Sequence, residues 1–180
     1  DSQTSLNYIY HGQPNIFKLH LSWTASHLNY IYHGQPHILT TFIMDSLTSL
    51  NYIYHGQPNI FKLHLSWTVS CLNYTYNGHP HILTTFIMDS LTSLNYIYHG
   101  QPHVLTIHIR TASHLNYIYH GQPHIFKLHL SWTASCLNYT YNGQTHIFKL
   151  HLSWTVSCHN YTYNGQPHIL TTFIMDGLTS

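Results

Sequence analysis

A chain of 180 residues is long enough to bury a sizeable core, yet only 5% of it is charged, where a soluble domain carries about 25%. Hydrophobic residues make up 43% and the net charge is +1, a composition that excludes both a highly charged disordered chain and a strongly basic binder of nucleic acid or anionic membrane. The five cations, Lys18, Lys62, Lys127, Lys149 and Arg110, stand singly.

The first predicted element is the strand LNYIY, Leu6 to Tyr10, rich in aromatic and β-branched residues and free of Pro and Gly. HGQP follows as a turn phrase at residues 11–14, and then a second strand, NIFKLHLSW, runs to Trp23. Side chains alternate across a strand, so Phe17, Leu19, Leu21 and Trp23 share one face against Ile16, Lys18, His20 and Ser22 on the other. After TAS the phrase LNYIY returns at Leu28, now followed by HILTTFIM, in which Leu39, Thr41 and Ile43 keep the same face mostly apolar. The remainder repeats these elements, with YNG replacing YHG at Asn77, Asn142 and Asn164.

The leucine that opens the phrase stands at Leu6, Leu28, Leu50, Leu72, Leu94, Leu115 and Leu137, with His159 in the same place next. Units therefore begin near 6, 28, 50, 72, 94, 115, 137 and 159, every step being 22 residues except a step of 21 between Leu94 and Leu115. A fixed period in this range signals an array in which each unit buries its apolar face against the next. The expected fold is all-β: a single array over 1–180 forming a parallel β-solenoid of about eight 22-residue rungs. Two alternatives compete with it. One is an antiparallel meander turning at HGQP and TAS, and the other is a chain with no stable fold that aggregates through its β-prone windows. LTSLNYIYH, at 47–55 and 91–99, meets the leucine-rich repeat spacing only in part, because Tyr52 and His55 occupy Leu and Asn positions.

The two kinds of second strand have a common source in nucleotide sequence. The word ATCATGGACAGCCTCACATCTT translates as IMDSLTS, SWTASHL and HGQPHIL in its three frames, and all three phrases occur here. ATCTTTAAACTACATTTATCATGG gives IFKLHLSW in one frame and SLNYIYHG in another, while TTAA in place of TTTAAA gives ILTTFIMD and HLNYIYHG. Stop codons then dictate the alternation: the IMDSLTS frame stays open only through the long spacer, and the SWTASH frame only through the short one. The unit reads as two copies of a shorter DNA repeat.

Histidine is the one chemical excess, 20 residues of 180. His81, His103, His124, His146 and His168 hold equivalent places in successive units, and stacking would align them as a ladder able to capture zinc, copper or nickel. No catalytic or cofactor site is expected. Glu is absent, Asp45 and Asp89 lie two units apart without a companion acid, and no nucleophile elbow or phosphate loop occurs. Cys136 and Cys158, one unit apart, are expected as rung neighbours, with Cys71 too far away to join them. Asn73, Asn138 and Asn160 begin N-x-T sequons. No window approaches the ~18 unbroken apolar residues of a membrane span, and DSQTSLNYIYHGQ lacks the basic start of a secretory signal.

The sequence thus points to a translated tandem DNA repeat with no evolved biochemical function and no enzymatic activity. A second reading is a repetitive β-structural or adhesive protein that holds metal on its histidine ladder. No cofactor and no specific partner is expected, only self-association through sheet edges.

Overall fold

The computed structural model describes residues 5–21, 26–44, 47–66 and 69–176. It is an all-β solenoid of about seven turns and about 22 residues per rung, with two parallel sheets stacked face to face. The strands run from β1 (Ser5–His11), β2 (Ile16–Leu21), β3 (His27–His33) and β4 (Ile38–Ile43) through β5 (Leu47–His55), β6 (Ile60–Ser66) and β7 (Val69–Asn77). From β8 (Ile82–Gly100) through β9 (Val104–Gly121), β10 (Ile125–Gly143) and β11 (Ile147–Gly165) each strand passes without a break from one sheet into the other, and β12 (Ile169–Asp176) closes the chain.

Every pairing is parallel and joins each strand to the strand in the equivalent place of the next unit. Leu6 pairs with Leu28 and Tyr8 with Tyr30 in the first sheet, while Ile16 pairs with Ile38 and Phe17 with Leu39 in the second. This rules out the antiparallel meander, in which neighbouring strands would alternate in direction. Each sheet holds eight strand levels joined by about seven turns, which agrees with the rung count read from the leucine positions.

The short unit is absorbed without loss of register in either sheet. Met88 still pairs with Arg110, 22 residues on, but Leu91 pairs with Ala112, 21 residues on. The missing residue is thus taken out of the bend between the sheets, where no core side chain has to move.

Two apolar faces meet in the interior, as alternation predicts. Leu28, Tyr30 and Tyr32 of the first sheet and Leu39, Thr41 and Ile43 of the second are buried, and the same positions are buried in the following rungs as far as Tyr141 and Leu152. Phenylalanines of the second sheet wedge edge-on between tyrosines of the first. Phe61 lies 5.0 Å from both Tyr54 and Tyr76 at steep interplanar angles of 66° and 79°. Edge-to-face contact of this kind suits the ring quadrupole and adds to the burial of area. Tyrosine stacks on tyrosine along the axis, as between Tyr76 and Tyr98 at 5.0 Å and 6°.

The turn phrase is fixed by its glycine. At Gly121 the backbone of the rung below approaches so closely that a Cβ would overlap the carbonyl oxygen of Gly100. Only glycine allows strands to stack at that corner.

Candidate functional site

Three outward columns collect most of the histidines, because the recurring phrases set His in the same place at many of the rungs. The column after IY carries His11, His33 and His55, then Asn77, then His99 and His120. Its rings are parallel, at 5.0 Å between His11 and His33 and 4.9 Å between His33 and His55. Where Asn enters, the column is continued by a hydrogen bond: Asn77 Nδ2 lies 3.3 Å from His55 Nδ1, and Asn142 Nδ2 lies 3.2 Å from His120 Nδ1. A second column, on the outer face of the second sheet, alternates His and Phe from His20 through Phe86 to His108 and then continues as His129 and His151.

The ladder expected from the sequence is the third column, at the corner that follows proline. His81 and His103 stack at 5.2 Å, His103 and His124 at 4.9 Å, and His124 and His146 at 4.5 Å, all within 20° of parallel. His146 and His168 lie 4.6 Å apart but are tilted by 53°. These rings line an open groove of about 490 Å³ together with Gln101, Gln122 and Gln144.

Stacking settles what such a ladder can do. The lone pair of imidazole lies in the ring plane, so parallel rings about one rung apart send their lone pairs out side by side. A shared ion needs two metal–nitrogen bonds of about 2.0–2.1 Å that converge. Accordingly, no group of three His, Cys, Asp or Glu among the described residues closes on a common point. Coordination by this column therefore requires rings to leave the stack. In the first and second columns imidazolium is disfavoured at particular rungs. Burial, followed by the proximity of His55 and His11, lowers the pKa of His33, and burial followed by His151 and Lys127 does the same for His129.

Asp45 falls outside the described residues, as do the side chains of Asp89 and Asp176. The sequon asparagines belong to a further column, in which the side-chain amides of Asn29, Asn51, Asn73, Asn95 and Asn160 donate to the rung before. Asn73 Nδ2 donates to Asn51 Oδ1 at 2.8 Å, and Asn160 Nδ2 to Asn138 Oδ1 at 3.0 Å. A glycan on such a nitrogen would have to break the ladder. The lysines all stand on the outer face of the second sheet, and only Lys127 and Lys149 are on adjacent rungs.

Cys136 and Cys158 are in register on neighbouring rungs, as the unit length implies. Partial burial, and then the hydrogen bond and charge of the Cys158 thiol, push the Cys136 thiol up. Sequence reasoning missed the residue on the other side: His114 pairs with Cys136 and extends the column to three potential ligands. The signal was present, since His114 precedes Leu115 as Cys136 precedes Leu137. Cys71 sits in the same column between Ser49 and Ser93.

A scan against protein-family models finds none that matches, and searches of curated proteins and of solved structures return no similar chain. No helix among the described residues is long and apolar enough to cross a membrane.

Proposed function

We propose that this chain is the translation of a tandem DNA repeat and that its product is a self-stacking structural element without a catalytic role. The observation that carries the reading is the continuous parallel register, in which each rung pairs position for position with the next. Tyr8 is 43% exposed at one end and Leu170 57% exposed at the other, whereas their counterparts Tyr30 and Leu39 are fully buried. Wherever such an array is cut, the new edge is the same, because each rung is a template for its copy.

The first rung of a second copy fits the last rung of the first. IFKLHL already pairs with ILTTFI between β2 and β4, and LNYTYN with LNYIYH between β7 and β8. Head-to-tail stacking would repeat these pairings between molecules and cover the open columns. Such a heterologous contact does not close on itself and therefore grows as a fibre.

Sedimentation of the 180-residue chain over a range of concentrations tests the structural part. A ladder of end-to-end species is expected, and Leu170→Lys, which sets a charge in the open column, is expected to shift the distribution to monomer. Monomer at every concentration in both proteins would overturn it. The coding DNA tests the origin. Identical codons for matching phrases, with the two spacers described above, are expected; unrelated codons for the same amino acids would show that the period is maintained for the protein's sake.

A further inference from the structure

We infer that Cys136 and Cys158, with His114 one rung below Cys136, form a binding site for a soft monovalent metal cation of the copper(I) class. Three consecutive rungs place His114, Cys136 and Cys158 in a single outward column, in strict pairing register. His114 and Cys158 are exposed and Cys136 half-buried, so an ion reaches them without opening the fold. The two cysteines occupy directly paired positions on neighbouring parallel strands.

The spacing selects the cation. Rungs lie about 4.8 Å apart, and two metal–sulfur bonds of about 2.3 Å laid end to end span about 4.6 Å. Cysteines paired on adjacent rungs are therefore spaced to match the span of a linear S–metal–S unit with little χ1 adjustment. A cation that accepts two-coordinate geometry and prefers thiolate fits here. Zinc, which requires four converging ligands, does not fit. On binding, two thiol protons leave to solvent and one monovalent cation enters, so the site gains one negative charge and uptake strengthens with rising pH. His114, on the rung on the other side of Cys136, stands beside the Cys136 thiolate as a supporting neighbour and does not join the linear unit. The histidine ladders supply nothing comparable, because their lone pairs run parallel.

Titration of the full chain with copper(I), supplied as its acetonitrile complex under anaerobic conditions with a non-thiol reductant, tests the site. One equivalent is expected to bind with a thiolate-to-metal absorption band in the near ultraviolet. Cys158→Ser or Cys136→Ser is expected to weaken binding about 100-fold or more, the loss that follows when one of two tethered ligands is removed. His114→Ser is expected to weaken it by about tenfold, in the range of supporting-ligand substitutions. Serine already occupies this column at Ser49 and Ser93, so these variants keep the fold, and circular dichroism checks that they do. Cys71→Ser is expected to leave the affinity and the band unchanged. Equal affinity in Cys158→Ser, or an equal loss in Cys71→Ser, would overturn the assignment.

Discussion

Removing a hydroxyl from the tyrosine core is expected to stabilise the fold at one rung and weaken it at another. Tyr117 is fully buried between Tyr96 at 5.1 Å and Tyr139 at 5.2 Å, and its hydroxyl has no hydrogen-bond partner. Burying an unpaired hydroxyl costs about 1–3 kcal/mol, so Tyr117→Phe, which keeps the ring and its stacking, is expected to gain about 1–2 kcal/mol. Tyr52 holds the equivalent place three rungs earlier, but its hydroxyl lies 3.2 Å from the buried Thr41 Oγ1. Tyr52→Phe leaves that threonine alone in the core and is expected to lose about 1–2 kcal/mol, while adding Thr41→Val removes both partners and restores most of the loss. Guanidinium midpoints followed by far-ultraviolet circular dichroism read all four proteins. A destabilised Tyr117→Phe, or a Tyr52→Phe as stable as the parent, would refute the assignment of which hydroxyls are paired.

The same core sets the response to pH. Burial, above all, pushes Tyr32 up to about 12 and holds Tyr117 and Tyr139 well above the usual tyrosine value, so these side chains stay neutral in the fold while the unfolded chain ionises above about pH 10. Unfolded chain then binds fewer protons than folded, and stability falls as pH rises. Each of the dozen fully buried tyrosines loses about 1 kcal/mol between pH 10 and 11, which together matches the whole stability of an ordinary domain. Cooperative unfolding with a simultaneous rise in tyrosinate absorbance is expected there; gradual tyrosinate formation with the β-spectrum intact would contradict it. On the acid side the sign is reversed, since the lowered histidines His33, His64, His99, His108 and His129 favour the fold above about pH 6.5 and that contribution is lost as pH falls through their folded values. Gly121→Ala drives a methyl into the carbonyl of Gly100 and is expected to cost about 1–3 kcal/mol or more, whereas Ser131→Ala on the exposed face is expected to change the midpoint little.

Much of this architecture is legible in the sequence because a copied phrase pairs best with its own copy. The leucine period, the inward set Phe17, Leu19 and Leu21, and the adjacency of Cys136 and Cys158 all follow from that rule and from strand alternation. Three features depend on geometry that spacing does not encode. Ring rotation decides whether the ladder of His81, His103 and His124 offers converging nitrogens or stacked planes, and packing chose the stack. The bend between Met88 and Leu91 decides where the short unit loses its residue, and thereby keeps His114 in register with Cys136. Hydroxyl pairing depends on what faces each tyrosine across the core, which is fixed by the stacking of two sheets rather than by either one.

That last feature bears on how the regularity arose. Tyr30, Tyr117 and Tyr139 bury hydroxyls without partners, and in each case the position corresponding to Thr41 holds an aliphatic residue, Leu19, Ile107 or Leu128. Tyr52 and Tyr96 find Thr41 and Thr85, and those two threonines arrive only where the unit reads ILTTFIM. In a core adjusted residue by residue, buried orphan hydroxyls are few and irregularly placed. Here the fault returns with the phrase and disappears with the phrase, so satisfaction of the core follows the choice between two whole strands. Translating one DNA repeat in alternating frames produces that pattern without any selection on single side chains. The stacked sheet itself needs no more than this, because parallel in-register pairing rewards identity between neighbours whatever the residues are.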